Sequence, residues 1–408
     1  MNRKQVSLLL VGILVLALIA TAVIIILNQP THRTLIVPDG YAQISWALGN
    51  ATAGDTVYVK SGTYNERGFV IDKPLSLIGE DASNTTLVGG FDGIRGGGTT
   101  LSIIANNVSV SGFTIRSYNF SSLAWYFFGI YPGGNNTKIS GNIIEDCAVG
   151  IWNEGFFANV TSVMISDNII RNNLYGGVSI LGGPSFVTIE NNNFTNDSVG
   201  ISIANGYRCA IIGNRLSLNK EGGIGLSGAR NDIFGNDLSN NNGSSIGFFG
   251  SSDLCRVLNN TIEDTDVGID LSTGSRFSVG GNTISRCTVY AVGFYQTETS
   301  NVFTNNITNN AVGVWFSQKA DATPMNDTSF YRNNFIDNGQ QVFVGASGTI
   351  NNFDDGKGGN YWSDYTSRYP NATEVGNSGI WNIPYMVAPN NVDKYPLVEP
   401  NSAIYSIL

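Results

Sequence analysis

Charge is scarce in this 408-residue chain: Asp, Glu, Lys and Arg supply 13% of it, with 22 basic against 31 acidic residues and a net charge of −9. No basic stripe of the kind that phosphate backbones require is present, which argues against a nucleic-acid partner. Nor is there a polybasic patch for anionic lipid. Soft metal ligands are equally few: one histidine, His32, four scattered methionines and four cysteines. A copper site built by this chain alone is therefore not expected, because copper selects imidazole, thiolate or thioether ligands. No nucleotide loop, catalytic serine elbow or zinc spacing occurs.

One long hydrophobic run is present. Arg3 and Lys4 precede an uncharged stretch from Val6 to Leu27, long enough as a helix to span roughly 33 Å, about one hydrocarbon core. This predicts a single-pass anchor over residues 1–28, and the basic flank places the remainder outside, in an extracellular or periplasmic location. A cleavable signal peptide is the alternative, with Ala20 and Ala22 resembling a cleavage site. Thirteen N-x-S/T sequons follow the anchor: Asn50, Asn84, Asn107, Asn119, Asn135, Asn159, Asn193, Asn196, Asn242, Asn259, Asn306, Asn326 and Asn371. They are glycosylation candidates, though in an Asn-rich chain many arise by chance.

The exported part repeats. Asn142, Asn168, Asn192, Asn214, Asn236, Asn260, Asn282, Asn305 and Asn333 recur at intervals of 22 to 28 residues. Each stands three residues after an apolar residue, from Ile139 to Phe330, and two before another, from Ile144 to Phe335. Eight to ten residues later comes a second apolar pair with strand spacing, such as Ile201 with Ile203 or Ile269 with Leu271. Short strands of this kind bury one face only by stacking, so each repeat reads as one coil of a single-stranded, right-handed parallel β-helix of about a dozen coils. Leucine-rich repeats and propeller blades fit the consensus and the period worse. Asn and Gly between strands suit tight corners. Five residues after each repeat Asn runs a partial ladder column of Cys147, Asn173, Asp197, Asn219, Asn241, Thr265, Cys287, Asn310 and Asn338. Tyr41 to Gly49 has helical apolar spacing and is expected to cap the first coil. The division is then an anchor at 1–28, a capped β-helix at 29–350, and a Tyr-, Trp- and Pro-rich tail at 351–408 that covers or flanks the last coil.

These repeats, the opening GDTVYVKSGTY and the terminal NFDDGKGGNYWSDY with IPY and NVDKYPL resemble the NosD-like β-helix proteins, a group common on archaeal cell surfaces. The resemblance spans nearly all of the chain after the anchor. It implies the β-helix and export, and for the namesake an accessory role in copper delivery beside an ABC transporter. Many relatives of this type carry an Asp-rich, calcium-like loop after the SDY. Here YPNATEVGNSGIW replaces it. Calcium is thus left without a clear site, Asp354, Asp355 and Asp364 being weak metal candidates, and no other cofactor is evident.

For function the sequence offers two leads. Carboxylates group at Glu145 and Asp146, at Asp264, Asp266 and Asp270, and at Asp354 and Asp355. Carboxylates about a coil apart could do acid and base work, as in a lyase, hydrolase or epimerase, but solvated corner residues give the same pattern. Aromatics crowd two insertions, SYNFSSLAWYFFGIYPGG and WNEGFFAN. Trp125, Tyr126, Phe127, Trp152, Asn153, Glu154 and Phe156 are therefore candidates for a sugar-stacking platform, weighed against mutual packing of the two loops. Tail aromatics read as cap packing. The reading reached is a surface protein that binds or structures extracellular glycan or envelope material, with a carbohydrate-active enzyme or a NosD-like transporter accessory as alternatives. Finally, Cys209 and Cys255 share a column two coils apart and Cys147 and Cys287 share another six apart. At ~4.8 Å per coil both separations exceed the ~7 Å Cα limit for a bridge. Four reduced, buried thiols are expected.

Overall fold

The computed structural model describes residues 14–19, 21, 32–90, 98–117, 127–155, 160–317, 325–345 and 348–402. Most of the segment read as an anchor lies outside them. Among the described residues no helix is long and apolar enough to cross a membrane.

Three long parallel sheets wind around one core. The first runs from Thr34–Val37 through Lys138–Ser140 and Asp232–Phe234 to Ser329–Tyr331, and the second from Gly62–Asn65 through Ile143–Glu145 to Tyr361–Trp362. The third runs from Phe69–Ile71 through Val149–Asn153, Val199–Tyr207, Ser244–Asp253 and Val267–Leu271 to Gln340–Val344. The first two are 13-stranded, so the solenoid makes about thirteen turns. Register is strict because a slip of one residue would turn every apolar side chain outward. Ile139, Ile165, Ile189, Ile211 and Ile233 accordingly pair in sequence and are all buried.

Corners need a left-handed residue. Between the first and second sheets this residue precedes the repeat Asn: Gly141, Asp167, Asn191, Gly213, Gly235 and Asn259 all have φ between 55° and 65°. The repeat Asn itself turns inward and is buried. Asn236 Oδ1 accepts from the backbone N–H of Asn214 at 2.8 Å and from its Nδ2 at 3.0 Å, and Asn236 in turn donates its backbone N–H and Nδ2 to Asn260 Oδ1. This ladder runs from Asn142 to Asn360, where the backbone N–H donates to Asp393. Spacing alone assigns these asparagines a turn role and places a ladder only at the next corner, whereas the amide ladder at this corner is the continuous one. A column with no gap was the signal for the stronger ladder.

Both ends are closed. At the start, the helix Ile44–Asn50 buries Ile44, Ala47 and Leu48, and Glu66 accepts from the Ile44 and Ser45 backbone N–H groups at its N-terminus. At the end, aromatic stacking continues the core: Phe335 on Trp362 at 4.5 Å, and Trp362 on Tyr385 at 4.2 Å.

Candidate functional site

The outer face of the third sheet gathers the residues that could recognise a ligand. The residue after each inward Ile or Val points out, and the register aligns Trp152, Ser179, Ser202, Gly225, Gly247, Asp270, Gly293, Trp315 and Phe343. At ~4.8 Å per coil this column is roughly 38 Å long. Its ends are aromatic and its middle is small, which leaves a trough of about 280 Å³ lined by Val199, Ser202, Glu221, Ser244, Phe249, Asp270 and Ser272.

Two glycines shape the walls. A Cβ on Gly225 would sit 3.1 Å from the Phe249 ring, and one on Gly293 would sit 2.3 Å from the Tyr290 ring. Glycine at both positions leaves room for these rings to lie down on the sheet. Tyr290 is then parallel to Trp315, with centroids 5.2 Å apart. Between Phe249 and this pair Asp270 forms part of the floor. Burial raises its carboxyl above the ordinary carboxylate value, against a bond from Ser272. Burial and the Asp270 charge likewise push the Tyr290 hydroxyl upward.

Of the aromatic candidates, Trp125, Tyr126 and Phe156 lie outside the described residues. Phe127 and Trp152 sit not on projecting loops but on strands Phe127–Pro132 and Val149–Asn153 of this same sheet. Trp152 stacks on Phe128 at 3.9 Å and packs against a small cluster of Phe128, Ala148 and Val149. Asn153 is buried and structural: its Nδ2 donates to the Pro132 carbonyl and its Oδ1 accepts from Gly155 N–H. Glu154 follows it at the strand end.

The other carboxylates are held by structure. Burial opposes charge on Glu145, but Arg116 and Arg171 outweigh it and hold the carboxyl below its usual range. Asp264 pairs with Arg286 at 2.6 Å, and Asp266 accepts from Gly243 N–H and the Thr288 hydroxyl. In the tail, Asp354 accepts from Gly356 and Lys394, Asp355 from Lys357, Gly358 and Arg332, and Asp364 from Tyr385. The described sequon asparagines are exposed or half-buried. Asn119 and Asn159 lie outside the described residues.

The stacked three-sheet coil defines a right-handed parallel β-helix of the pectin-lyase-like type. Residues 48–246 match the family described as periplasmic copper-binding protein (NosD), and residues 176–335 and 222–373 match the right handed beta helix region. The chain is a NosD-like β-helix repeat protein. Among solved structures, the A-module of a mannuronan C-5 epimerase from Azotobacter vinelandii superposes with a TM-score of 0.61 at 15% identity, covering 76% of this chain and 91% of the module. An α-1,3-glucanase catalytic unit from Streptomyces thermodiastaticus gives 0.61 at 17%, covering 82% and 69%. A mannuronic acid specific polysaccharide lyase from the human gut microbiota gives 0.55 at 13%, covering 77% and 83%. At such identities the likeness defines the fold, and a site has to be argued from this chain's residues. No curated protein matches in sequence.

The matched family's description names copper, and the residues here do not fit that metal. Cys147, Cys209, Cys255 and Cys287 are free, buried and in separate coils, and the His32 ring lies against Gly54. Met164 and Met386 are exposed on separate elements. Among the described residues no three of His, Cys, Asp and Glu come together as a metal-binding group.

Proposed function

We propose that the protein is a membrane-anchored, extracytoplasmic β-helix whose third-sheet trough binds an extended glycan. The single observation that carries this is the trough: a long, open strip one residue wide, with small and polar side chains along its floor and flat aromatic rings at intervals. Sugar rings stack on such faces while hydroxyls bond to flanking polar groups. An open strip suits a polymer better than a small molecule, which favours enclosure. In this reading Trp152 and Phe127, with Glu154 at the strand end, extend the strip at its first end. Asp270 lies in its floor, and the stacked Tyr290 and Trp315 stand beyond it toward the far end. That the superposed proteins named above act on polysaccharides agrees with this reading without specifying a ligand.

A glycan array probed with the full chain tests it. Binding should fall at least about tenfold, or 1.4 kcal/mol, in the Tyr290→Ala and Trp315→Ala double variant, with little change in melting temperature. Absence of glycan binding, or equal binding by the variant, would overturn it. One observation favours a second reading, a carbohydrate-active enzyme: the raised Asp270 carboxyl has the property a proton-transfer group needs. Glu221, the other carboxylate lining the trough, precedes a strand two coils away, so no carboxylate pair on neighbouring coils supports it. Asp270→Asn separates the two readings. Loss of turnover with binding retained would make Asp270 catalytic, whereas loss of binding would make it an anchor.

A further inference from the structure

We propose a second, separate site: an oxyanion-binding corner between the third and first sheets that takes an acidic polysaccharide along the β-helix axis. The left-handed corner residues here are Phe186, Arg208, Arg230, Leu254 and Arg276, with φ between 53° and 59°. In that conformation at an outer corner their side chains leave the stack, and the three arginines and Phe186 are exposed. Arg276 is neutralised by Asp253, and the nearby Arg256 by Asp232 through two bonds of 2.6 Å. Arg208 and Arg230 make no ion pair among the described residues.

These two cations stand on neighbouring coils, because Arg208 N–H donates to the Ala229 carbonyl just before Arg230. Their spacing is thus ~4.8 Å along the axis. They line a cavity of about 410 Å³ with Asp232, Leu254 and Arg256. Two guanidinium groups without a carboxylate partner among the described residues thus stand beside an open cavity, in a chain of net charge −9. Guanidinium forks match the two oxygens of a carboxylate, sulfate or phosphate. A free ion would need no more than that.

The Arg208 coil and the coil before it add a feature that a free ion would not use. Phe186 and Tyr207 are both exposed, their rings meet edge to face at 6.2 Å, and the Arg208 guanidinium lies 5.9 and 5.4 Å from the two centroids. Flat apolar faces beside cations fit a sugar ring that bears an anionic group. Cations and rings succeed one another along the axis, so the ligand is a chain of acidic sugars. Asp232, held by Arg256, is the one carboxylate in the lining and repels an anion that strays from the arginines.

The test uses the full chain and polygalacturonate as probe, with a neutral glucan and inorganic sulfate beside it. Polygalacturonate should bind, and raising salt from about 0.05 to about 0.5 M should weaken it several-fold, as for exposed charge pairs. Combining Arg208→Gln and Arg230→Gln should weaken it at least about tenfold, two charge-assisted contacts being removed. Arg286→Gln, which removes an arginine already paired with Asp264, should leave it unchanged. Salt-insensitive binding, or a double variant that binds as wild type, overturns the proposal. So does sulfate binding with no gain for the polymer, which would mean an adventitious ion only. If the double variant does not fold, the salt response of the wild-type chain decides. The trough variant Tyr290→Ala/Trp315→Ala separates this site from the one above: its failure to bind polygalacturonate, with the arginine variant intact, would assign the polymer to the trough alone.

Discussion

The corner between the first and second sheets and the corner between the second and third are built alike and filled differently. Both place a left-handed residue outside and a small polar residue inside. The first repeats asparagine without a gap from Asn142 to Asn360, every carboxamide accepting from the coil before and donating to the coil after. The second admits Cys147, Asp197, Thr265 and Cys287 among its asparagines. Continuous amide stacking at one edge is enough to fix coil spacing and register, so the other edge, which leads into the sheet bearing the trough, is free to vary. The uniform corner acts as the spine of the solenoid and the mixed corner as its adaptable side.

The largest expected effect of breaking this contrast is at the spine. Asn236→Ala removes the acceptor of two Asn214 donors and the donor to Asn260 Oδ1 and the Ile211 carbonyl. Buried groups left unpaired cost about 1–3 kcal/mol each, so a loss of about 4 kcal/mol is expected in chemical denaturation. A loss under about 1 kcal/mol would show that the ladder sets no register.

Asp197 tests the mixed corner in the opposite direction. Its Oδ1 accepts from the Asn173 backbone N–H and Nδ2, its Oδ2 is buried without a bond partner, and burial pushes the carboxyl up to about 7. A raised folded value means that the fold holds a proton that the unfolded chain releases from about pH 4 upward. Stability therefore declines as pH rises from about 4 to about 7 and is level above. The protonated acid carries the donor that an amide would have. Asp197→Asn should thus flatten that slope and raise stability at pH 8 by up to about 4 kcal/mol, at about 1.4 per unit. Some slope should survive, because Asp393 is also pushed up to about 7 by burial. An unaltered slope in the variant would mean that Asp197 is not the titrating group.

Thr265 sits at the same corner and should matter less. Its hydroxyl bonds the Gly243 carbonyl at 3.1 Å and Ser245 at 3.2 Å. Thr265→Ala should cost about 1 kcal/mol, the worth of an ordinary hydrogen bond. A cost equal to that of Asn236→Ala would erase the distinction between the two corners.

Much of this architecture is legible in the sequence because period and alternation report burial directly. Ile139 to Phe330 could be placed in one column from spacing alone. What spacing does not reveal is which neighbour of a repeat Asn takes the left-handed conformation, since Thr304 and Arg332 do so as readily as Gly281. The trough was hidden for a related reason. Asp264, Asp266 and Asp270 look equivalent along the chain, yet two occupy a corner and one the sheet face. Gly225 and Gly293 read as weak strand residues until the Phe249 and Tyr290 rings are seen lying over them. The aromatic insertions drew attention to Trp152, on the correct sheet, through the expectation that it projected from a loop.

The smallest energetic effect concerns the cysteines, where the corners make the same statement. Cys209 N–H donates to Asn231 Oδ1, and Asn231 Nδ2 lies 3.9 Å from Cys255 Sγ, so an asparagine rung separates the two thiols. Cys147 and Cys287 occupy the mixed corner six coils apart, each donating its backbone N–H to the next rung at Asn173 or Asn310. All four are free and buried. Desolvation pushes Cys147 and Cys287 up to about 12 and raises Cys209 and Cys255 as well, so almost no thiolate exists to react. Alkylation of the folded protein at pH 8 should therefore label none, and alkylation after denaturation without reductant should label all four by mass spectrometry. Their exchange for alanine, one at a time, should cost about 1 kcal/mol or less, because a small apolar side chain replaces another and the ladder amide keeps its backbone partner. Recovery of a disulfide from the denatured chain would overturn the coil register, and with it the separation of the two corners into spine and adaptable side.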